Sequence, residues 1–260
     1  MFGKKKQTQS QNQQVIYNTP GGRVYEPYLH LADKNHLLVA GCTGSGKSVV
    51  VNGIITSLIM TESPAHVQFI LLDPKRVELT DYAHIPHTVR YANTLPDMIA
   101  ALRFAVAEME RRFQIMQRNG WKECQGSRLY VIIDELADLM TTGKKDCFPL
   151  LQRLAQLGRA ARVFLIGCTQ TVHYTVIPST LKCNFPVVLG LKTANPNQSR
   201  YLVDTSGCEL LPDPAVYHTS FGFLRSGANL QKIEFYRYTD AEQSSVINHW
   251  NSPYCVRIAG

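Results

Sequence analysis

The chain has 260 residues, 45% of them apolar and 18% charged, which suits one large globular domain with a substantial core and excludes a wholly disordered chain. Its formal net charge of +7 favours a polyanionic partner such as nucleic acid, although a charge of this size is also ordinary for a protein surface. The seven cysteines form no CxxC pair and no His/Cys cluster with zinc spacing, which excludes a structural zinc site and points to reduced, buried thiols. Residues 1–14 are polar and rich in Gln and Lys, lack the apolar core of a signal peptide, and read as a disordered tail. No apolar run approaches the roughly 20 residues of a membrane helix, so the expectation is a cytoplasmic protein with no membrane segment of its own.

In chain order, residues 15–35 suggest a strand-and-turn lead-in, with turn chemistry at Pro20-Gly21-Gly22. His36 to Ala40 is a short apolar strand, and Lys47 to Met60 a helix. Val67 to Leu72 is a continuous apolar run, as expected of a strand buried on both faces. Thr94-Leu95-Pro96-Asp97 reads as a capping box opening a long helix, with Ile99, Leu102, Val106, Met109, Phe113 and Met116 on one stripe and Asn119-Gly120 as its stop. Leu129 to Ile133 is a second buried strand, Phe148 to Leu157 a helix, and Val163 to Gly167 a further strand. Phe185 to Leu191 is a strand, Asn197 to Val203 a short helix, 221–238 a hairpin turning at Ser226-Gly227, and Asp240 to Trp250 a closing helix. Strands alternating with helices imply a three-layer α/β fold with a mainly parallel central sheet. A single domain over 15–252 between tails 1–14 and 253–260 is expected.

Gly41-Cys42-Thr43-Gly44-Ser45-Gly46-Lys47-Ser48 fits G-x-x-x-x-G-K-[ST] between a strand and a helix, the setting of a phosphate-binding P-loop. The glycines let backbone N–H groups curl toward phosphate oxygens, and the helix N-terminus adds partial positive charge. Lys47 is expected to reach the β- and γ-phosphates of ATP, and Ser48 to offer its hydroxyl to Mg²⁺. Leu129 to Ile133 delivers Asp134 and Glu135 to the carboxyl end of a sheet strand, where ligands bind in open α/β sheets. Asp134 is the expected second Mg²⁺ residue and Glu135 the general base that orients water, a pairing that points to hydrolysis. A helix starting with Asp134 as N-cap is the competing reading. Gln170 follows another strand on the same edge and is assigned to the γ-phosphate or the attacking water. Arg159 and Arg162, at that strand's amino end, and Arg200 are candidates for an arginine finger given in trans; solvated surface arginines are the alternative. Arg112 is read as structural, paired with Glu108. His36, His66, His84 and His87 are given no catalytic role. The fold class is therefore a RecA-like P-loop NTPase.

From His36 to Trp250 the chain resembles the motor domain of FtsK/SpoIIIE-type DNA translocases. The resemblance is carried by HLLVAGCTGSGKSVVVN, LLDPKRVELTDYAHIPH, AVAEMERRFQIM, VIIDELADLM and LQRLAQLGRAA followed by Thr169-Gln170, in that order. It implies a hexameric ring of identical subunits that pulls double-stranded DNA with ATP energy. It carries the family's roles onto Lys47, Ser48, Asp134 and Glu135. Thr171 stands where the family usually has an arginine, and Val187-Val188 where it has a Thr-Arg pair, which puts those basic contacts in doubt. With neither a membrane domain nor a DNA-reading winged helix expected, the resemblance implies a stripped motor of the kind carried by mobile elements. A conjugative coupling or type VII-like protein-secretion ATPase of the same superfamily, and a non-hydrolysing ATP-binding scaffold, are the alternatives.

Overall fold

The uninterrupted apolar runs become the middle of one sheet, because only a strand covered on both faces can bury every side chain. The structure, a computed structural model, describes residues 15–19, 22–25, 28, 31, 33, 35–217 and 220–252. The expected tails, 1–14 and 253–260, lie outside the described residues, as do Pro20 and Gly21 of the expected turn. Strands β1 (Val15–Thr19) and β2 (Gly22–Tyr25) pair as an antiparallel ribbon. The main sheet then collects β3 (Leu37–Ala40), β4 (Val67–Leu72), β5 (Thr88–Ala92), β6 (Arg128–Ile133), β7 (Val163–Thr169), β8 (Val187–Gly190), β9 (Ser220–Ser226) and β10 (Asn229–Phe235). Its order is β10-β9-β8-β3-β7-β6-β4-β5. The six strands from β8 to β5 run parallel, and the β9–β10 hairpin closes one edge antiparallel.

Alternate residues of each run feed opposite faces. Leu38, Ile70, Val131, Ile133 and Leu165 join one apolar cluster with helices α2 (Leu95–Asn119), α3 (Leu136–Thr142) and α4 (Lys144–Leu157). Leu37, Val39, Phe69, Ile132 and Ile166 join the other, with α1 (Lys47–Thr61). Burying each such side chain contributes about 1.5–3 kcal/mol. Helix α1 contains a Val-Val-Val run of poor helix propensity, yet it is buried on nearly all sides, so tertiary packing holds it. Trp250 of the closing helix α8 (Asp240–Asn251) donates Nε1–H to Ile59 O at 2.7 Å, and Ser57 Oγ meets Tyr238 OH at 2.9 Å. Gly53 sits mid-helix because the Tyr28 ring lies against it; a Cβ there would come within 2.2–2.5 Å of that ring. The Tyr28 hydroxyl donates to Tyr236 O.

Several expectations are refined. Thr94 caps α2 by accepting from Asp97 N, and its hydroxyl also donates to the Asp97 carboxylate at 2.5 Å. The buried stripe of α2 is rotated toward Met98, Ala101 and Ala105, leaving Ile99, Val106 and Phe113 partly covered. Arg112 is buried in that stripe because its guanidinium collects the carbonyls of Ser127, Ala161 and Arg162 and the Glu108 carboxylate at 2.7–3.2 Å. Strand β5 has no counterpart in the sequence-based expectations and helix α3 only in the competing reading of a helix start at the acidic pair, and short helices α5 (Ser179–Lys182), α6 (Pro196–Val203) and α7 (Pro214–Tyr217) complete the connections. Among the described residues no helix is long and apolar enough to cross a membrane.

Candidate functional site

The sheet order decides the site. Strand β7 lies between β3 and β6, so the carboxyl ends of three strands converge on one edge. The P-loop leaves β3, with Gly41 N donating to Thr169 O at 3.3 Å and Cys42 N to Lys192 O at 2.8 Å. Gly46 serves as N-cap of α1 at φ 92°, a left-handed conformation that favours glycine. It offers no side-chain cap, and no acidic residue sits in the first turn. The first-turn N–H groups, which have no partner within a helix, are thus left facing the loop's interior, an arrangement suited to phosphate.

Lys47 is buried and donates to Asp134 Oδ1 at 2.5 Å and to Asp134 O at 2.6 Å. Burial works against its charge, but the pull of surrounding acidic groups prevails and its pKa is raised. Cys168 is among those neighbours, yet burial pushes its own thiol up to about 12, which leaves Asp134, in direct hydrogen-bond contact, as the partner of the ammonium. Burial raises the Asp134 carboxyl, and Lys47 opposes that rise. Asp134 Oδ2 is buried without a hydrogen-bond partner, a free oxygen beside a phosphate loop. With the half-buried Ser48 at the start of α1, this donor set of one hydroxyl and one carboxylate suits a hard, oxygen-seeking cation such as Mg²⁺.

Glu135 is 3% exposed and closes the site from the β7 side. It accepts from Thr169 Oγ1 at 2.6 Å, from Gln170 N at 3.2 Å to each oxygen, and from Ala137 N at 3.3 Å. The last contact makes it the N-cap of α3, so a helix does begin at the acidic pair, capped by Glu135 rather than Asp134. Lys75, from the Asp-Pro-Lys segment after β4, reaches Glu135 Oε2 at 3.3 Å. Gln170 bridges the two halves: its backbone holds Glu135, and its side-chain Oε1 accepts from Thr43 Oγ1 at 2.9 Å. A cleft runs over Gly44, Gly46, Lys47, Ser48 and Gln170, and its far wall is Pro214, Ala215 and the exposed Arg237.

The structure therefore brings Gly41 to Ser48, Asp134, Glu135 and Gln170 to one place. The candidate fingers lie elsewhere. Arg162 directly precedes β7, about 20 Å of extended chain from Thr169, and binds Glu123 Oε1 at 3.2 Å and Gly126 O at 3.1 Å of its own chain. Arg159 is exposed near the same end, and Arg200 is exposed on α6 with Asn197 Oδ1 at 3.3 Å. Thr169, Lys75 and Arg237 were not singled out from the sequence. Thr169 and Lys75 stand inside family-specific segments and were legible as such; Arg237 has no local signal, since the β9–β10 hairpin alone carries it to the cleft.

A phosphate loop on β3, with β7 inserted before the strand that carries the acidic pair, gives this chain the RecA-like, three-layer α/β fold of the P-loop NTPases. The FtsK/SpoIIIE family pattern matches residues 3–128 and 118–173. The DNA translocase SpoIIIE of Bacillus subtilis (strain 168) is 37% identical over 235 residues, covering 82% of this chain and 29% of that protein. The DNA translocase FtsK of Listeria monocytogenes serovar 1/2a is 40% identical over 196 residues, covering 68% and 26%. The chain belongs to the FtsK/SpoIIIE family. It spans about a quarter of the length of the curated relatives it matches. Among solved structures, the pCW3 conjugation coupling protein TcpA with ATPγS superposes at a TM-score of 0.72 and 22% identity over 93% of this chain and 71% of that one. EssC (ATPases 2 and 3) from Geobacillus thermodenitrificans superposes at 0.74 and 16% identity over 98% and 53%. Both are likenesses of fold.

Proposed function

We propose that this chain is the motor of a double-stranded DNA translocase, hydrolysing ATP with Mg²⁺ as a ring of identical subunits, by family analogy a hexamer, in the cytoplasm. The motor would occupy residues 15–252. The observation that carries the catalytic part is Glu135: a buried carboxylate held by β7 and α3 beside a phosphate loop whose lysine is already paired with Asp134. The membership of a family whose relatives are named DNA translocases supports DNA as the load.

Each residue then has a task. The loop from Gly41 to Ser48 binds the phosphates through backbone N–H groups. Lys47 turns from Asp134 toward the β- and γ-phosphates and balances their charge. Ser48 and Asp134 would hold Mg²⁺, which would supply neutralisation of phosphate charge. Glu135 orients a water and takes its proton. Gln170, tied to Thr43 on one side and to Glu135 on the other, reports the state of the loop to the base. Arg159 and Arg200 are the freer trans-finger candidates, since Arg162 is engaged within its own chain.

The test is steady-state ATP turnover with and without double-stranded DNA, for the wild type and Glu135→Gln. DNA is expected to stimulate turnover, and the stimulation to fall steeply between 50 and 200 mM salt through counterion release, as expected for phosphate contacts. Glu135→Gln is expected to lower turnover about 100-fold or more while ATP still binds. Turnover indifferent to DNA sinks the DNA reading and favours a polypeptide motor. Turnover that survives Glu135→Gln removes the general-base assignment.

A further inference from the structure

Glu135 makes one contact that positioning does not require. Its Oε1 already receives three donors: Thr169 Oγ1 at 2.6 Å, Gln170 N at 3.2 Å and Ala137 N at 3.3 Å. These fix the carboxylate, since two are backbone groups and Thr169 is fully buried in β7. Oε2 has a further bond from Gln170 N at 3.2 Å, and then the Lys75 ammonium at 3.3 Å. A general base needs a lone pair turned toward its water. Oε2 is the less committed oxygen, and Lys75 stands on it.

Lys75 differs in kind from the other donors. It is the only one on a long flexible side chain, and that side chain is 39% exposed, whereas Glu135 is buried. The loop that carries it is firmly based and open at the tip. Asp73 is fully buried, accepts from Leu79 N at 3.0 Å through Oδ2 and from Arg76 N at 3.1 Å through its carbonyl, and donates its own N–H to Ala92 O at 2.9 Å. Arg76 is turned to φ 59°, and Lys75, Arg76 and Val77 form the exposed tip. The base of the loop fixes where Lys75 starts, while solvent access lets its side chain leave.

We propose that Lys75 restrains Glu135. In the idle motor it pairs with the oxygen that must receive the water's proton, and turnover proceeds when Lys75 swings away. Lys75 is thus a positioning residue with a negative effect on the resting rate. This rests on Glu135 being the general base. It makes the Asp-Pro-Lys segment a brake on wasteful hydrolysis rather than part of the phosphate site.

The experiment compares full-length wild type, Lys75→Ala and Lys75→Arg, measuring kcat and KM for ATP with and without double-stranded DNA, and affinity for a fluorescent ATP analogue. Lys75→Ala is expected to raise the DNA-free kcat about two- to five-fold, the range that an ion pair with one half-exposed partner can impose. Its DNA-bound kcat should change less, so the stimulation ratio falls. Affinity for the analogue should stay constant, and Lys75→Arg, which keeps the ion pair, should restore the wild-type ratio. A Lys75→Ala protein slower in both states, or with an unchanged DNA-free rate, overturns the proposal; the first result would make Lys75 an ordinary support of catalysis. A wild type that ignores DNA would refute the translocase reading, while the DNA-free kcat of Lys75→Ala would still report the restraint.

Discussion

At the scale of single residues, the site is a set of charges whose neighbours decide what they can do. Lys47 and Asp134 hold each other in the interior, where an unpaired charge would be costly. Arg237 is their opposite: exposed, on the far wall of the cleft, and forming no ion pair with a carboxylate among the described residues. A cation so placed suits the phosphates or ribose of a bound nucleotide. Arg237→Ala is expected to raise the KM for ATP about five-fold with kcat little changed, as befits an exposed ionic contact; the measurement is initial rate against ATP concentration. A fall in kcat at constant KM would instead place Arg237 in the chemistry.

At the scale of elements, His36 shows how a side chain can extend a sheet. It precedes β3, and its Nδ1 accepts from Leu165 N at 2.8 Å, so the ring stands where a backbone carbonyl would continue the ladder to β7. Burial, with the Arg159 charge second, lowers its pKa to about 3. The folded protein therefore holds it neutral, while the unfolded chain binds a proton below about 6.5. The unfolded state thus gains protons first, and stability is lost as pH falls from 6.5 toward 3, by about 1.4 kcal/mol per pH unit from this one group. Denaturation midpoints across that window should fall less steeply for His36→Asn, which keeps an acceptor but cannot titrate; an unchanged slope would mean that other groups dominate.

The same scale shows what could be read in advance. The buried strands were legible because Val67 to Leu72 and Leu129 to Ile133 are unbroken apolar runs, and the P-loop because its glycines and lysine have fixed spacing. Strand β5 was not, because Thr-Val-Arg-Tyr-Ala is an edge strand with Val89 and Arg90 exposed. Helix α3 was hidden by its brevity and by a cap that is also the candidate base. The rotation of the α2 stripe escaped notice because Arg112 counts as polar by type, whereas its guanidinium is buried among carbonyls supplied by distant segments.

At the scale of the whole molecule, the arginines at the amino end of β7 lie far from their own phosphate loop, so a finger drawn from them must serve a neighbour. Under the proposed function, hydrolysis would then be a property of the assembly. Doping wild type with Glu135→Gln subunits should depress turnover more than in proportion to the inactive fraction, measured as rate against mixing ratio after subunit exchange; a linear decline would mean independent subunits. Arg159→Ala and Arg200→Ala, each mixed with Glu135→Gln, would show which arginine serves the adjoining site.

Tyr28 packs its ring on Gly53 and gives its hydroxyl to Tyr236 O, one residue before Arg237. Two distant stretches of chain are thereby buckled together over α1, and the buckle lies next to the cleft wall. The contact fixes the backbone beside Arg237 to helix α1. Tyr28 thus ties the far wall of the cleft to the helix that begins at the phosphate loop.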